Sequence, residues 1–341
     1  MTSRLDLSTL SVRACGLTTH LLGRSVLETL ATTDMGAFAR ALARTGRVPE
    51  GMPQSPSVAD VQAAIRRMAM QHLRTFERWV GPAEALDLLY ADQERRSLRA
   101  LFRGAIEGTG AEVRLAALLP TRRLPERALR ELALQPTAAG VVLHLVALGH
   151  PDASRLLPIA TRAQPVLFDL DMALLRGFAE RMLAASRTGD RSLAAWGRSR
   201  IDRANIETAL ALAGGTAELD PGACFLEGGG ALAKRAYVEA SRAGSMALAA
   251  TALERALRGA ALADALHASR GDPVRFEREA FTRSLADQRR RARLDPLGSA
   301  PLVLFLLRLE AQAHDLMRLS WGASLGVPAS SLEANLVTPW N

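Results

Sequence analysis

The chain has 341 residues, 48% apolar, 23% charged and 4% aromatic, with 43 basic against 35 acidic side chains and a formal net charge of +8. Length suits about two or three domains of roughly 100–150 residues and a core large enough to need no disulfide or metal staple. An Ala/Leu/Arg-rich chain with few Tyr, Trp, Val and Ile argues against a β-rich fold. The arginine clusters Arg95-Arg96, Arg122-Arg123 and Arg289-Arg290-Arg291 have acids nearby and no interleaved aromatic residues, which reads as solvated or partner-facing helix surface and not as a nucleic-acid stripe. Cys15 and Cys224 fit no ligand spacing and suit a reducing compartment.

In chain order, Met1 to Ala14 lacks the apolar stretch of a secretory signal. Residues 22–30 and 124–132, Leu22-Gly-Arg-Ser-Val-Leu27 and Leu124-Pro-Glu-Arg-Ala-Leu129 at their starts, predict short helices of similar pattern, each followed by another that ends at a glycine, Gly46 or Gly149. Residues 58–80 place Val58, Val61, Ala64, Ile65, Met68, His72, Phe76 and Trp79 near one face, the spacing of a long amphipathic helix. Ser57, three residues before Asp60, supplies its capping signal. Residues 168–185 and 273–294 predict two further helices of this kind. The longest apolar runs, 137–149 and 301–307, fall far below the roughly 20 residues of a membrane-spanning helix. No stretch alternates with period two and no Asn-Gly or Asp-Gly turn joins β-like runs, so the expected fold class is all-α.

A long internal period organises these helices. Asp92-Gln-Glu-Arg95, Asp202-Arg-Ala-Asn205 and Gln312-Ala-His-Asp315 begin at positions 92, 202 and 312, and each lies on the helix that follows one of the long amphipathic ones. The steps are equal, so the chain carries an internal repeat of about 110 residues. Solenoid units run about 20–50 residues, so this period suggests instead three lobes, 1–115, 116–225 and 226–341, related by a pseudo-threefold axis around a central cavity. Polar residues recurring on otherwise apolar helices need partners. Asp92, Arg95, Asp202, Asn205, Gln312 and Asp315 are therefore the candidate positions for hydrogen bonding near the axis or for lining a central pocket.

These residues carry a resemblance. Ile201-Asp202-Arg203-Ala204-Asn205-Ile206 is similar to the recurring D-x-x-N-I helix of the C/d (AC39) family of V-type ATPase subunits. The stretch 301–316, with Glu310, Gln312 and Asp315, resembles that family's closing helix, and Arg13 with Leu21-Leu22 its opening. Arg95 and Asp315 stand where the family prefers asparagine. The resemblance implies a funnel-shaped, three-lobed socket, peripheral on the cytoplasmic face of the membrane. It would receive the central-stalk subunits and couple their rotation to the membrane proteolipid ring that carries protons or sodium ions. It further implies no catalytic residue, cofactor or metal of its own, no nucleic-acid partner, and membrane association only through the ring.

The catalytic-looking motifs have plainer readings. Gly322-Ala-Ser324-Leu-Gly326 matches a nucleophile elbow, but a helix precedes it and no histidine follows, so a helix-end turn is expected. Asp169-Leu-Asp171 falls at a helix start, where acids meet the positive end of the dipole. Gly228-Gly-Gly230 lacks the rest of a phosphate loop and reads as a flexible linker between lobes. The six histidines have no zinc spacing. The alternatives to a rotor subunit are an all-helical repeat scaffold or regulator, one version of it nucleic-acid-associated through its arginines, and an all-α enzyme, for which no spacing speaks.

Overall fold

The computed structural model describes residues 7–45, 53, 55–80, 84–115, 118–186, 191–215 and 219–338. These described residues form 18 helices and no strand, so the all-α expectation is met. The chain divides into two compact units, one of Met1–Leu174 with Phe305–Asn341 and one of Leu175–Leu304.

The first unit contains α1 (Leu7–Thr18), α2 (Arg24–Ala31), α3 (Met35–Arg44), α4 (Val58–Val80), α5 (Glu84–Glu107), α6 (Ala111–Leu115), α7 (Glu126–Ala133), α8 (Ala138–Ala147) and α9 (Ala153–Ala160). It also takes the first part of α10 (Leu167–Ser186). Helix α4 has the bounds its periodicity predicts and buries Val61, Ala64, Ile65, Met68 and Phe76, while Val58, His72 and Trp79 lie at its rim. Its start is fixed by reciprocal bonds. The Ser57 hydroxyl and N–H donate to the Asp60 carboxylate (2.7 and 2.9 Å), and the Asp60 N–H donates back to the Ser57 hydroxyl at 3.2 Å.

Two apolar clusters hold this unit. In one, Leu98, Leu101 and Phe102 of α5 meet Leu129 and Leu132 of α7, Val141, Val142 and Leu145 of α8, and Leu170 and Leu174 of α10. In the other, Leu22, Leu27, Leu30, Phe38 and Leu42 from the start of the chain pack with Ile65 and Met68 of α4 and with Leu316, Met317, Leu332 and Leu336 from its end. Each such side chain contributes about 1.5–3 kcal/mol when fully buried, so the second cluster binds distant parts of the sequence by many kcal/mol.

The second unit runs from the rest of α10 through α11 (Arg191–Gly214), α12 (Pro221–Cys224), α13 (Lys234–Ser241), α14 (Met246–Ala256), α15 (Ala261–Ser269) and α16 (Pro273–Leu294) to the beginning of α17 (Ala300–Leu325). The remainder of α17 and α18 (Ala329–Glu333) belong to the first unit. Tyr237, Leu253, Leu266 and Phe276 are among its most deeply buried large side chains. Helix α16 starts where Asp272 accepts the N–H groups of Val274 and Arg275 and Pro273 occupies the first turn.

Lengths and caps recur along the chain. Helices α2, α7 and α13 each have eight residues. The next helix of each set is capped by a side chain, Asp34, Thr137 or Ser245, that accepts the N–H three residues on. The eight-residue helices are preceded by the buried leucines Leu22, Leu124 and Leu232.

Candidate functional site

On α11, Asp202 and Asn205 are buried and turned to the backbone of the loop that leads into α13. The Asp202 carboxylate accepts the N–H groups of Gly230 (2.8 Å), Ala231 (2.9 Å) and Leu232 (3.1 Å). Asn205 clamps a single residue from both sides, accepting the Leu226 N–H at 2.8 Å on Oδ1 and donating from Nδ2 to the Leu226 carbonyl at 2.9 Å. The glycine triplet is thus pinned to a carboxylate, a correction to the flexible linker its composition suggests. A Cβ on Gly229 would lie 2.1 Å from Asp202 Oδ1, and Gly228 has φ +98°. Only glycine lets the chain pass this close and turn this way. Lys234 begins α13 beside this loop, its ammonium 6.0 Å from the centre of the Phe225 ring.

On α17, Gln312 Oε1 accepts the Leu22 N–H, and both residues are buried. Asp315, fully buried, accepts the Val337 N–H at 3.0 Å and the Thr338 N–H at 2.8 Å, and Arg318 adds a bond to the same carboxylate at 3.3 Å. Arg24, at the first position of α2, donates to the carbonyls of Glu333 (2.9 Å), Leu336 (3.2 Å) and Thr338 (3.4 Å).

On α5, Asp92 and Arg95 pair with each other. Asp92 accepts from Arg95 at 3.1 Å and from Arg96 at 3.1 Å. The pairing extends into an alternating row of charges. Arg99 and Arg95 both face Asp171 of α10 (3.3 and 3.7 Å), and Arg96 pairs with Glu310 of α17. In the row Arg99–Asp171–Arg95–Asp92–Arg96–Glu310 every charge has an opposite neighbour, the condition under which ions leave water without prohibitive cost. Asp171, which its sequence position suggests as helix-start chemistry, is thereby a link between α5 and α10, while Asp169 pairs with Arg162 at 2.6 Å.

The contact on α5 that corresponds to Asp202–Leu232 belongs to a residue outside the six candidates. Glu94 Oε1 accepts the Thr121 hydroxyl at 2.8 Å, and Thr121 Oγ1 accepts the Leu124 N–H at 3.2 Å. The other Glu94 oxygen lies 3.8 Å from Nε2 of the buried His150. Glu94 precedes Leu124 by the same interval as Asp202 precedes Leu232. The aspartate shared by positions 92 and 202 sets the sequence comparison two residues off. The signal that finds the acid is the leucine that opens each eight-residue helix, from which it is reached by counting back.

All six candidate positions are buried, at 8% exposure or less, and the contacts they make are to backbone or to partner charges. A small cleft of about 50 Å³ between Tyr90, Gln93, Thr121, Glu310 and apolar neighbours is lined by none of them. Burial drives the Tyr90 phenol far up from its ordinary pKa, so it stays a neutral O–H there. Among the described residues no three His, Cys, Asp or Glu side chains converge as a metal site. Ser324 lies inside α17 and Gly326, at φ +66°, ends that helix, so the Gly-x-Ser-x-Gly stretch is a helix terminus.

This arrangement is that of a helical protein whose buried polar groups hold its own loops. The sequence profile of the ATP synthase (C/AC39) subunit family matches residues 10–335, nearly the whole chain. The chain belongs to that family. A curated relative, the C subunit of the A-type ATP synthase of Halorubrum lacusprofundi, is 28% identical over 187 residues, 50% of this chain and 50% of the relative's own length. Among the described residues no helix is long and apolar enough to cross a membrane.

Proposed function

We propose that the chain is a non-catalytic rotor subunit of a V/A-type ATPase, a socket that passes torque between the central stalk and the membrane proteolipid ring. It would work at the cytoplasmic face as a peripheral subunit, in ATP-driven or ATP-forming transport of protons or sodium ions. The observation that carries this reading is the family match from residue 10 to residue 335. Three lobes, 1–115, 116–225 and 226–341, describe the recurrence of helices in the sequence and are a different division from the two packing units. Their support is the repeated order of leucine, eight-residue helix and side-chain cap at α2–α3, α7–α8 and α13–α14.

The physical demands on a torque adaptor agree with this chemistry. It must be stiff, and helices packed at interior density transmit strain with little compliance. Loops are where such a body would yield, and here buried carboxylates and amides on α5, α11 and α17 fasten them. Asp202, Asn205, Gln312 and Asp315 are proposed as such fasteners near the axis, and Asp92 and Arg95 as links between helices there, not as groups that touch the stalk. Two separate interfaces are required, each of at least about 1,000 Å² for stable association.

Co-purification from native membranes tests the reading. A tagged copy is expected to bring down ATPase catalytic, stalk and proteolipid subunits together. Recovery of the protein alone, under conditions that keep a rotary ATPase assembled, would refute the proposal.

A further inference from the structure

The three leucines that precede the eight-residue helices each have their N–H held by a side-chain oxygen but are connected differently. At Leu124 the grip comes from Glu94 through Thr121, and at Leu232 from Asp202. In both cases only 30 residues of sequence separate the gripping residue from the leucine. At Leu22 the grip comes from Gln312, 290 residues away, and no such short path joins them. What stands there instead is the C-terminal segment. Asp315 holds Val337 about as Asn205 holds Leu226, at intervals of 22 and 21 residues. Arg24 then ties carbonyls at 333, 336 and 338 to the start of α2.

We propose that residues 333–338 are a strap that closes the chain on itself at a third, non-covalent junction, and that its release opens the first unit at α2–α3 while α7–α9 stay folded. Asp315 and Arg24 are the catch. Both bind the strap through its backbone. Leu332 and Leu336 add apolar contact with the cluster that contains Leu22, Leu27 and Phe38. At the other two junctions the short covalent path keeps the parted groups close after any opening, so reclosure is favoured. At the third, no direct run of chain leads from α17 to Leu22, and the bonds of Asp315 and Arg24 to the strap stand in its place. The device is a property of the isolated protein and is independent of the rotor reading.

Hydrogen–deuterium exchange with mass spectrometry on the full chain tests it. In the wild type, peptides covering α2 are expected to exchange about tenfold or more faster than those covering α7 or α13, as for a separately opening segment. Asp315→Asn weakens the carboxylate's hold on two N–H groups and should speed exchange about tenfold more in α2, α3 and 333–338, with α7–α9 unchanged. Equal protection of α2, α7 and α13 in the wild type would overturn the proposal. So would a variant effect spread evenly over α7–α9. Should Asp315→Asn fail to fold, the wild-type comparison of the three helices decides alone.

Discussion

At the scale of single residues, buried polar atoms are legible in the sequence where they interrupt an apolar helix, because such atoms must find partners. Asp202 and Asn205 stand out this way, and their partners are backbone groups of the following loop. Which residue grips the next leucine from α5 is not legible. Asp92 repeats the letter of Asp202, but Glu94 makes the corresponding contact, since the two copies differ by two positions in spacing and a string comparison follows identity before geometry. Gly229 offers a sharp test. With a Cβ due 2.1 Å from Asp202 Oδ1, Gly229→Ala must displace either the loop or the carboxylate. A loss of about 2–4 kcal/mol is expected in urea unfolding, well beyond an ordinary surface substitution. Gly110→Ala, where nothing lies within 4 Å, is the control expected to stay within about 0.5 kcal/mol.

At the scale of elements, long helices are the most legible features. The spans 58–80 and 273–294 coincide with α4 and α16, and 168–185 lies within α10, because apolar periodicity sustained over so long a span leaves little freedom. The glycine triplet reads as flexible from composition because its fixing partner, Asp202, lies 28 residues earlier on another element. The cap of α4 yields a prediction with a definite pH sign. The Ser57 hydroxyl, and next its N–H, hold the Asp60 carboxyl below its ordinary value. A carboxyl lowered by folding adds stability that is present above its unfolded pKa and lost as the pH falls through the folded one. Ser57→Ala is expected to cost about 1 kcal/mol at neutral pH. In urea unfolding the cost should shrink at a pH below the ordinary carboxylate range, once the carboxyl protonates. An equal cost at both pH values would show that the hydroxyl acts without the carboxylate.

At the scale of the whole molecule, the family is readable from the order of the polar motifs along the chain. The non-covalent junction is not, since nothing in the letters says that Gln312 reaches Leu22. The three grips differ in chemistry, and that sets an order of effects. Asp202→Ala strips an acceptor from three N–H groups and should cost about 3 kcal/mol or more, whereas Thr121→Val and Gln312→Ala, each removing a neutral acceptor from one N–H, should cost about 1–2 kcal/mol. Unfolding by urea, followed by circular dichroism, ranks them; a Gln312→Ala cost matching Asp202→Ala would contradict the ranking. Glutamine at 312 also has an electrostatic reason. An aspartate there would stand one turn from the fully buried Asp315 carboxylate.

Of the 43 basic side chains, Lys234 alone is a lysine, and it is exposed at the first position of α13, two residues after the leucine that Asp202 holds. It is the one side chain of this sequence to which an amine-directed dye can attach. A fluorophore placed there sits beside Phe225 and reports on that joint without any cysteine having to be engineered. Single-molecule observation of this protein therefore has its labelling site already built in.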